Sequence, residues 1–184
     1  MSCPVSSSGT CGEKVIQEFI AQFTQQEILY ADYVYQLGKE WYLVVPELLR
    51  MGKALPRQPV FVGQFLGRQT PAGFFPGVDV LRLLVKTDAP RIFVTDKSAW
   101  LFVCGKNVLQ PSITKTQGKM IEGQLVLVML NDECLGYGRV EKSLAGADGV
   151  VKRVFDIGDF LRRERPVKFS GQSQRADVRV KTQS

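Results

Sequence analysis

Seven basic side chains stand where a polyanion would need them. Arg162, Arg163, Arg165 and Lys168 fall within one short stretch, Lys152 and Arg153 are adjacent, and Lys106 follows a glycine at 105. Clustered Lys and Arg neutralise phosphates, a contact that gives affinity without reading base sequence. For Lys152 and Arg153, and for the nearby Arg139 and Lys142, the plainer reading is a solvated strand face. The acids Asp156 and Asp159 could imitate paired catalytic carboxylates. With Arg162 and Arg163 so close, Asp159 reads more simply as an ion-pair partner on a short helix.

Other chemistry is scarce. Histidine is absent, which removes Ser-His-Asp and Cys-His triads, imidazole bases and His metal ligands. The four cysteines, Cys3, Cys11, Cys104 and Cys134, form no C-x-x-C pair, so no zinc site is expected. Cys104 and Cys134 lie in apolar, strand-like contexts and are expected as buried thiols, with a mutual bridge left open. No cofactor or metal is expected, and no catalytic residue is assigned.

The charge is uneven. The chain has 184 residues and a net charge of +6, from 24 Lys and Arg against 18 Asp and Glu. From residue 162 onward there are seven basic and two acidic residues, or +5, which leaves +1 for everything before. A near-neutral body with a basic end points to a polyanion partner, most often nucleic acid. The length suits one large domain or two small ones with a real core. The longest apolar run, Leu125 to Leu130, is far short of the ~20 residues that span a bilayer. The first dozen residues are small and polar, without the basic flank and apolar stretch of a secretory signal. The expectation is an intracellular protein.

These residues need elements to hold them. Residues 1–12 are expected to be disordered. Val15, Ile16, Phe19, Ile20 and Phe23 recur at helical spacing, which predicts a helix over 13–29. Tyr33–Leu37 and Trp41–Val45 flank Gly38-Lys39-Glu40 as a hairpin, and Pro46 opens a second helix. Val60–Leu66 reads as a strand, with Gly63 and Gly67 marking bulges or close backbone approach. Val78–Val85 suits helix or strand, and Asp88-Ala89-Pro90 looks like a linker. The texture then changes. Arg91–Thr95, Leu101–Cys104, Leu125–Leu130, Leu135–Val140 and Val150–Phe155 read as short strands of a small barrel. Asp156–Arg162 reads as a closing helix. The expected fold class is α+β: a small α/β domain over 13–89, a β-rich barrel over 90–165, and a basic, disordered tail over 166–184.

Within the second half, Gly105, Val108, Pro111 and Ile113 form a G-x-x-V-x-x-P-x-I segment. Gly123, Val126 and Val128 lead a strand, and Leu135, Gly136 and Gly138 form an L-G-x-G strand. Each could be turn chemistry alone, but the ordered set resembles the PUA domain, an RNA-binding pseudo-barrel. Tyr35–Val45, Gly63–Gly67, Ala99–Leu109 and Asp156–Arg162 extend the likeness over roughly residues 13–165. It is similar to Nip-seven, a two-domain family of ribosome-biogenesis factors in eukaryotes and archaea. The Ser/Cys-rich start and the tail after Arg165 fall outside that pattern.

The resemblance implies a non-catalytic RNA-binding factor in ribosomal RNA maturation and large-subunit assembly. Its partners would be precursor ribosomal RNA and other assembly or RNA-processing proteins, with the chain itself a monomer. It would be cytoplasmic in an archaeon and nucleolar in a eukaryote. The expected RNA contacts are Lys106, Lys152, Arg153, Arg162, Arg163, Arg165 and Lys168. The alternatives are a module that recruits an RNA-modifying or RNA-degrading enzyme, and a small enzyme with its chemistry in the first half. Against the enzyme stand the missing His and the lack of a nucleophile-base motif.

Overall fold

The computed structural model describes residues 11–29, 33–54, 56, 63–71 and 73–159. Helix α1 (Cys11–Ile20) leads into β1 (Val34–Leu37) and β2 (Glu40–Leu43), then α2 (Pro46–Ala54). Strands β3 (Gln64–Thr70) and β4 (Gly73–Pro76) precede α3 (Val78–Val85). The second half runs β5 (Arg91–Val94), α4 (Asp96–Val103), β6 (Val108–Leu109), a 3-10 turn (Gln110–Ser112) and β7 (Ile113–Gln117). It closes with β8 (Leu125–Leu130), β9 (Glu133–Lys142) and β10 (Val150–Asp156).

There are two sheets. Four antiparallel strands lie in the order β1-β2-β3-β4, and six in the order β6-β10-β9-β8-β5-β7, where only β5 and β8 pair in parallel. The second sheet curls into a half-barrel behind a small α/β region, so the expected fold class stands.

Several boundaries differ from the sequence reading. Helix α1 ends at Ile20 rather than 29. The chain tightens there through Gln22 N–H to Phe19 C=O (3.2 Å) and Phe23 N–H to Ile20 C=O (2.9 Å). Thr24 then draws the backbone out of helix: its hydroxyl accepts the N–H of Gln26 at 3.0 Å and donates to Asp88 at 2.5 Å. Such local side-chain bonds compete with the helical ladder. The described strand of the third pair begins at Gln64, while 60–62 lie outside the described residues. The segment Val78–Val85 is helical.

The largest correction concerns Leu101–Cys104, expected as a strand and found in helix α4 and its cap. An apolar run of this length does not separate helix from strand. The start signal decides it: Thr95 is an N-cap whose side chain accepts the N–H of Ser98 at 3.4 Å, with Asp96 in the first turn. Ser98, Ala99 and Phe102 face inward at helical spacing. Cys104 is therefore exposed rather than buried, Cys134 is buried, and both thiols are free.

Strand β8 shows how the core is arranged. Its two faces are both covered, so it reads as an unbroken apolar run. Val126 and Val128 point into the half-barrel with Ile92, Val94, Phe102, Val108, Val140 and Val151. Leu125, Leu127 and Met129 point the other way, onto Ile16, Phe19 and Phe23 of the first segment and Leu81 and Leu84 of α3. That second cluster draws on residues from both sides of Pro90. Ala89 is fully buried, and the carbonyl of Pro90 accepts the N–H of Leu127 at 2.9 Å.

Arg91 secures the same junction. It is 8% exposed, and its guanidinium donates to the carbonyls of Val85 (2.8 Å), Thr87 (2.5 Å) and Ala89 (3.2 Å). A buried cation is costly unless it is hydrogen-bonded. Here it satisfies carbonyls at the negative end of α3.

Candidate nucleic-acid interface

Helix α4 ends in a way that fixes the loop carrying Lys106. Gly105 adopts φ +96°, its N–H reaches the carbonyl of Phe102 at 2.8 Å, and the N–H of Lys106 reaches that of Leu101 at 2.9 Å. This pair of bonds is a Schellman cap, and the left-handed position favours glycine. Lys106 and Asn107 emerge exposed immediately beyond it. Asn107 Oδ1 then accepts the backbone N–H of Arg153 at 3.1 Å, fastening the loop to β10.

A groove of about 300 Å³ lies between α4 and the chain from Asn107 to Ser112. Leu101, Leu109 and Pro111 form apolar walls, with Lys97 and Asn107 along its rim. Ser98 and Ser112 meet inside it, their hydroxyl oxygens 2.9 Å apart. On the neighbouring turn of α4 Trp100 is 69% exposed. Cations, small hydroxyls and a free indole together suit a single-stranded polyanion, because every base has a face that stacks on an aromatic ring.

The structure distributes the expected contact residues unevenly. Lys106 is exposed and near Arg153 through Asn107. Arg153 itself is half-buried and pairs with Asp156 at 3.0 Å, where the carboxylate is wholly buried. Its charge chiefly compensates that buried acid, which also accepts the N–H of Gly158 at 2.8 Å. Lys152 is exposed and lies 3.5 Å from Glu141, a surface pair that leaves it mobile and hydrated. Arg162, Arg163, Arg165 and Lys168 lie outside the described residues.

The sequence reading did not single out Trp100, Leu101 or Leu109. Their signal depended on recognising α4: once Ser98, Ala99 and Phe102 are the inner face, positions 100 and 101 must look outward.

The glycines of the L-G-x-G segment have a packing role that the structure makes explicit. A Cβ on Gly136 would sit 2.1 Å from the carbonyl oxygen of Phe155, and one on Gly138 would sit 2.6 Å from Val151 Cγ1 and 2.7 Å from the carbonyl oxygen of Lys152. Both let β10 lie tight against β9, as expected for alternate glycines on one strand face. That contact carries Arg153 to Asn107 and so sets the floor of the interface. Gly67 does the same in the first sheet, opposite an irregularity between Trp41 and Tyr42.

Comparisons with known proteins match this half of the chain to a family and most of the chain to solved folds. Residues 91–165 match the UPF0113 PUA domain, so the half-barrel is a PUA domain, an RNA-binding fold. No curated protein matches in sequence. A PUA domain protein of Aeropyrum pernix is similar in structure over 85% of this chain and 87% of its own, with TM-score 0.53 and 12% identity. A hypothetical protein of the hyperthermophilic archaeon Pyrococcus horikoshii is similar over 81% of this chain and 93% of its own, with TM-score 0.52 and 19% identity. At these identities the likeness is one of fold. A chain of the archaeal box H/ACA sRNP Nop10-Cbf5 complex is 26% identical over 39% of this chain, at TM-score 0.32. This chain spans only 25% of that one.

Proposed function

We propose that this protein is a non-catalytic RNA-binding factor acting in ribosomal RNA maturation and large-subunit assembly. The observation that carries the reading is a PUA domain with an open α4–β6 groove bordered by Lys97, and with Lys106 and Trp100 exposed at positions adjacent in sequence to its lining. The basic stretch from Arg162 to Lys168 adds charge just beyond the described end of that domain. The preferred ligand is single-stranded or looped RNA. Duplex DNA readout uses a helix in the major groove presenting Arg, Asn or Gln to base edges. The exposed side of α1 instead carries Glu18 among its polar residues, and an acid there repels phosphate.

The assignment to ribosome assembly rests on the resemblance of the whole 13–165 pattern to the Nip-seven family. It implies precursor ribosomal RNA and other assembly proteins as partners, and a nucleolar location in a eukaryote or a cytoplasmic one in an archaeon. Competition binding on the full chain tests the RNA reading: single-stranded RNA should displace a bound probe before duplex DNA of equal length. Equal or better displacement by the duplex would reject it. Crosslinking in the native cell tests the ribosomal assignment, which fails if the recovered RNA is not ribosomal precursor.

A further inference from the structure

A second concave site shares no residue with the α4 groove. It sits where α1 and the β3–β4 hairpin meet β9 and β10. The cleft measures about 480 Å³. This is the size range of sites for small ligands. Phe19, Phe74 and Tyr137 supply aromatic wall, and Gln22, Gln69 and Arg139 supply polar groups around it. Phe19 and Phe74 lie 5.4 Å apart between ring centroids, and Phe19 and Tyr137 lie 5.6 Å apart.

Tyr137 is the informative member. It is 6% exposed, it lines the cleft, and its hydroxyl has no hydrogen-bond partner among the described residues. The ring is buried but the oxygen is not fully enclosed, since Trp41 Nε1 is the one wholly buried side-chain N or O without a partner among the described residues; the hydroxyl therefore opens to the cleft. Burial pushes its pKa up to about 12, with the nearby Arg139 opposing the shift, so the hydroxyl stays a neutral donor at physiological pH. Arg139 is held in place by its own bond to the carbonyl of Gly123 at 2.6 Å, yet remains exposed. Gln22 and Gln69 are exposed as well.

We infer that this cleft receives one unstacked nucleotide of the bound RNA, its base against half-buried Phe74, which Phe19 and Tyr137 back, and its phosphate toward Arg139. The inference rests on the RNA-binding reading above. Three features favour a nucleotide over an apolar ligand or an inorganic anion. Half-buried Phe74 offers ring surface for a planar base. The two amides can meet donors and acceptors on a base edge, as Gln does in nucleic-acid recognition. Among the described residues one cation lines it, and Glu18 on the α1 side of the cleft disfavours a second phosphate there. A nucleotide seated in it would touch both halves of the chain, whose core is shared beneath it.

The test uses the full chain and a single-stranded RNA substituted with 4-thiouridine, photocrosslinked and mapped by mass spectrometry. Crosslinks are expected within peptides containing Phe74 or Tyr137, in addition to the α4–β6 face. The double variant Gln22→Ala/Gln69→Ala changes only exposed side chains. It should bind the same RNA about 5- to 150-fold more weakly, the loss expected for two hydrogen bonds, and lose those crosslinks with its unfolding midpoint unchanged. Tyr137→Phe, which preserves the ring, should weaken binding in the same direction. RNA that binds normally to the double variant and crosslinks only along the α4–β6 face overturns the inference while leaving the RNA-binding reading intact. Failure of the wild type to bind RNA at low salt overturns both.

Discussion

Asn107 Oδ1 accepts the backbone N–H of Arg153 at 3.1 Å, joining residues 46 apart in sequence. The loop leaving α4 is thereby locked to the one strand whose close approach depends on Gly136 and Gly138. Lys106 is not a cation on a free loop but one held between a Schellman cap and a sheet edge.

Replacing Asn107 by Ala should release that loop. The expected cost is about 0.5–1.5 kcal/mol, the net worth of one hydrogen bond, read as a lower urea midpoint with an unchanged slope. RNA affinity should fall by more than this stability loss explains, since Lys106 loses its fixed place. Unaltered affinity would show that the position of the loop does not matter.

Arg91→Ala should be among the most damaging single changes outside the apolar core. It removes the donor from the carbonyls of Val85, Thr87 and Ala89 at once. Bonds to a charged group contribute about 1.5–3 kcal/mol, and a chain of this size shifts by about 2–4 °C per kcal/mol. A melting temperature lowered by less than about 3 °C would mean that water replaces the guanidinium readily.

Two glycines with positive φ should respond differently to alanine. Gly136, at φ +148°, has the carbonyl oxygen of Phe155 where the Cβ would go, and backbone cannot step aside cheaply. Gly123, at φ +84°, has nothing within 4 Å. Gly123→Ala should cost the left-handed strain alone, about 1 kcal/mol, and Gly136→Ala at least about 3 kcal/mol or a failure to fold. Equal midpoints in denaturant would contradict the packing role assigned to Gly136.

Cys134 and Tyr137 are among the buried groups that give the protein an alkaline limit. Burial raises the Cys134 thiol from 9.0 to about 11, against opposing effects from the Gly136 backbone and Arg91, and raises the Tyr137 phenol from 10.0 to about 12. Each folded-state value lies above the unfolded one, so the folded chain holds these protons longer. Their contribution is complete below pH 9 and is lost as the pH rises from 9 to 12. Unfolding titrations should show this decline, and Cys134→Ala should remove its early part. Alkylation at neutral pH should modify exposed Cys104 well before Cys134; comparable rates at both would contradict the burial of Cys134.

Much of the architecture was legible in the sequence because its signals are local. The Leu125–Leu130 run, the Pro46 helix start and the spacing of Ile16, Phe19, Ile20 and Phe23 each name an element without help from elsewhere. Gly136 and Gly138 announced a close approach, although only the structure shows that β10 makes it. The failures came where one local signal had to outweigh another. Leu101–Cys104 is apolar enough for a strand, and the Thr95 cap was the cue to helix. The Thr24 hydroxyl ended α1 early by bonding to Asp88, a residue far along the chain. The site was less legible than the fold. Lys106 could be marked from its glycine neighbour, but the exposure of Trp100 and the engagement of Arg153 by buried Asp156 are tertiary facts.

The central claim is that the PUA surface itself binds RNA, and the salt dependence of RNA affinity tests it most directly. Single-stranded RNA should be titrated at several salt concentrations with the wild type, with Trp100→Ala/Lys106→Ala, with Arg162, Arg163, Arg165 and Lys168 all changed to Ala, and with residues 170–184 deleted. The wild-type affinity should fall steeply with salt. The four-cation variant should bind more weakly and with a flatter slope, by up to ~0.7 per lost phosphate contact on a single strand. The Trp100→Ala/Lys106→Ala variant should lose affinity mainly through stacking, with the slope flattened by no more than ~0.7 for its one removed cation, and the tail deletion should cost less than either. If the deletion abolishes binding while both substituted proteins bind as wild type does, the RNA site is the tail and the PUA domain is only its scaffold.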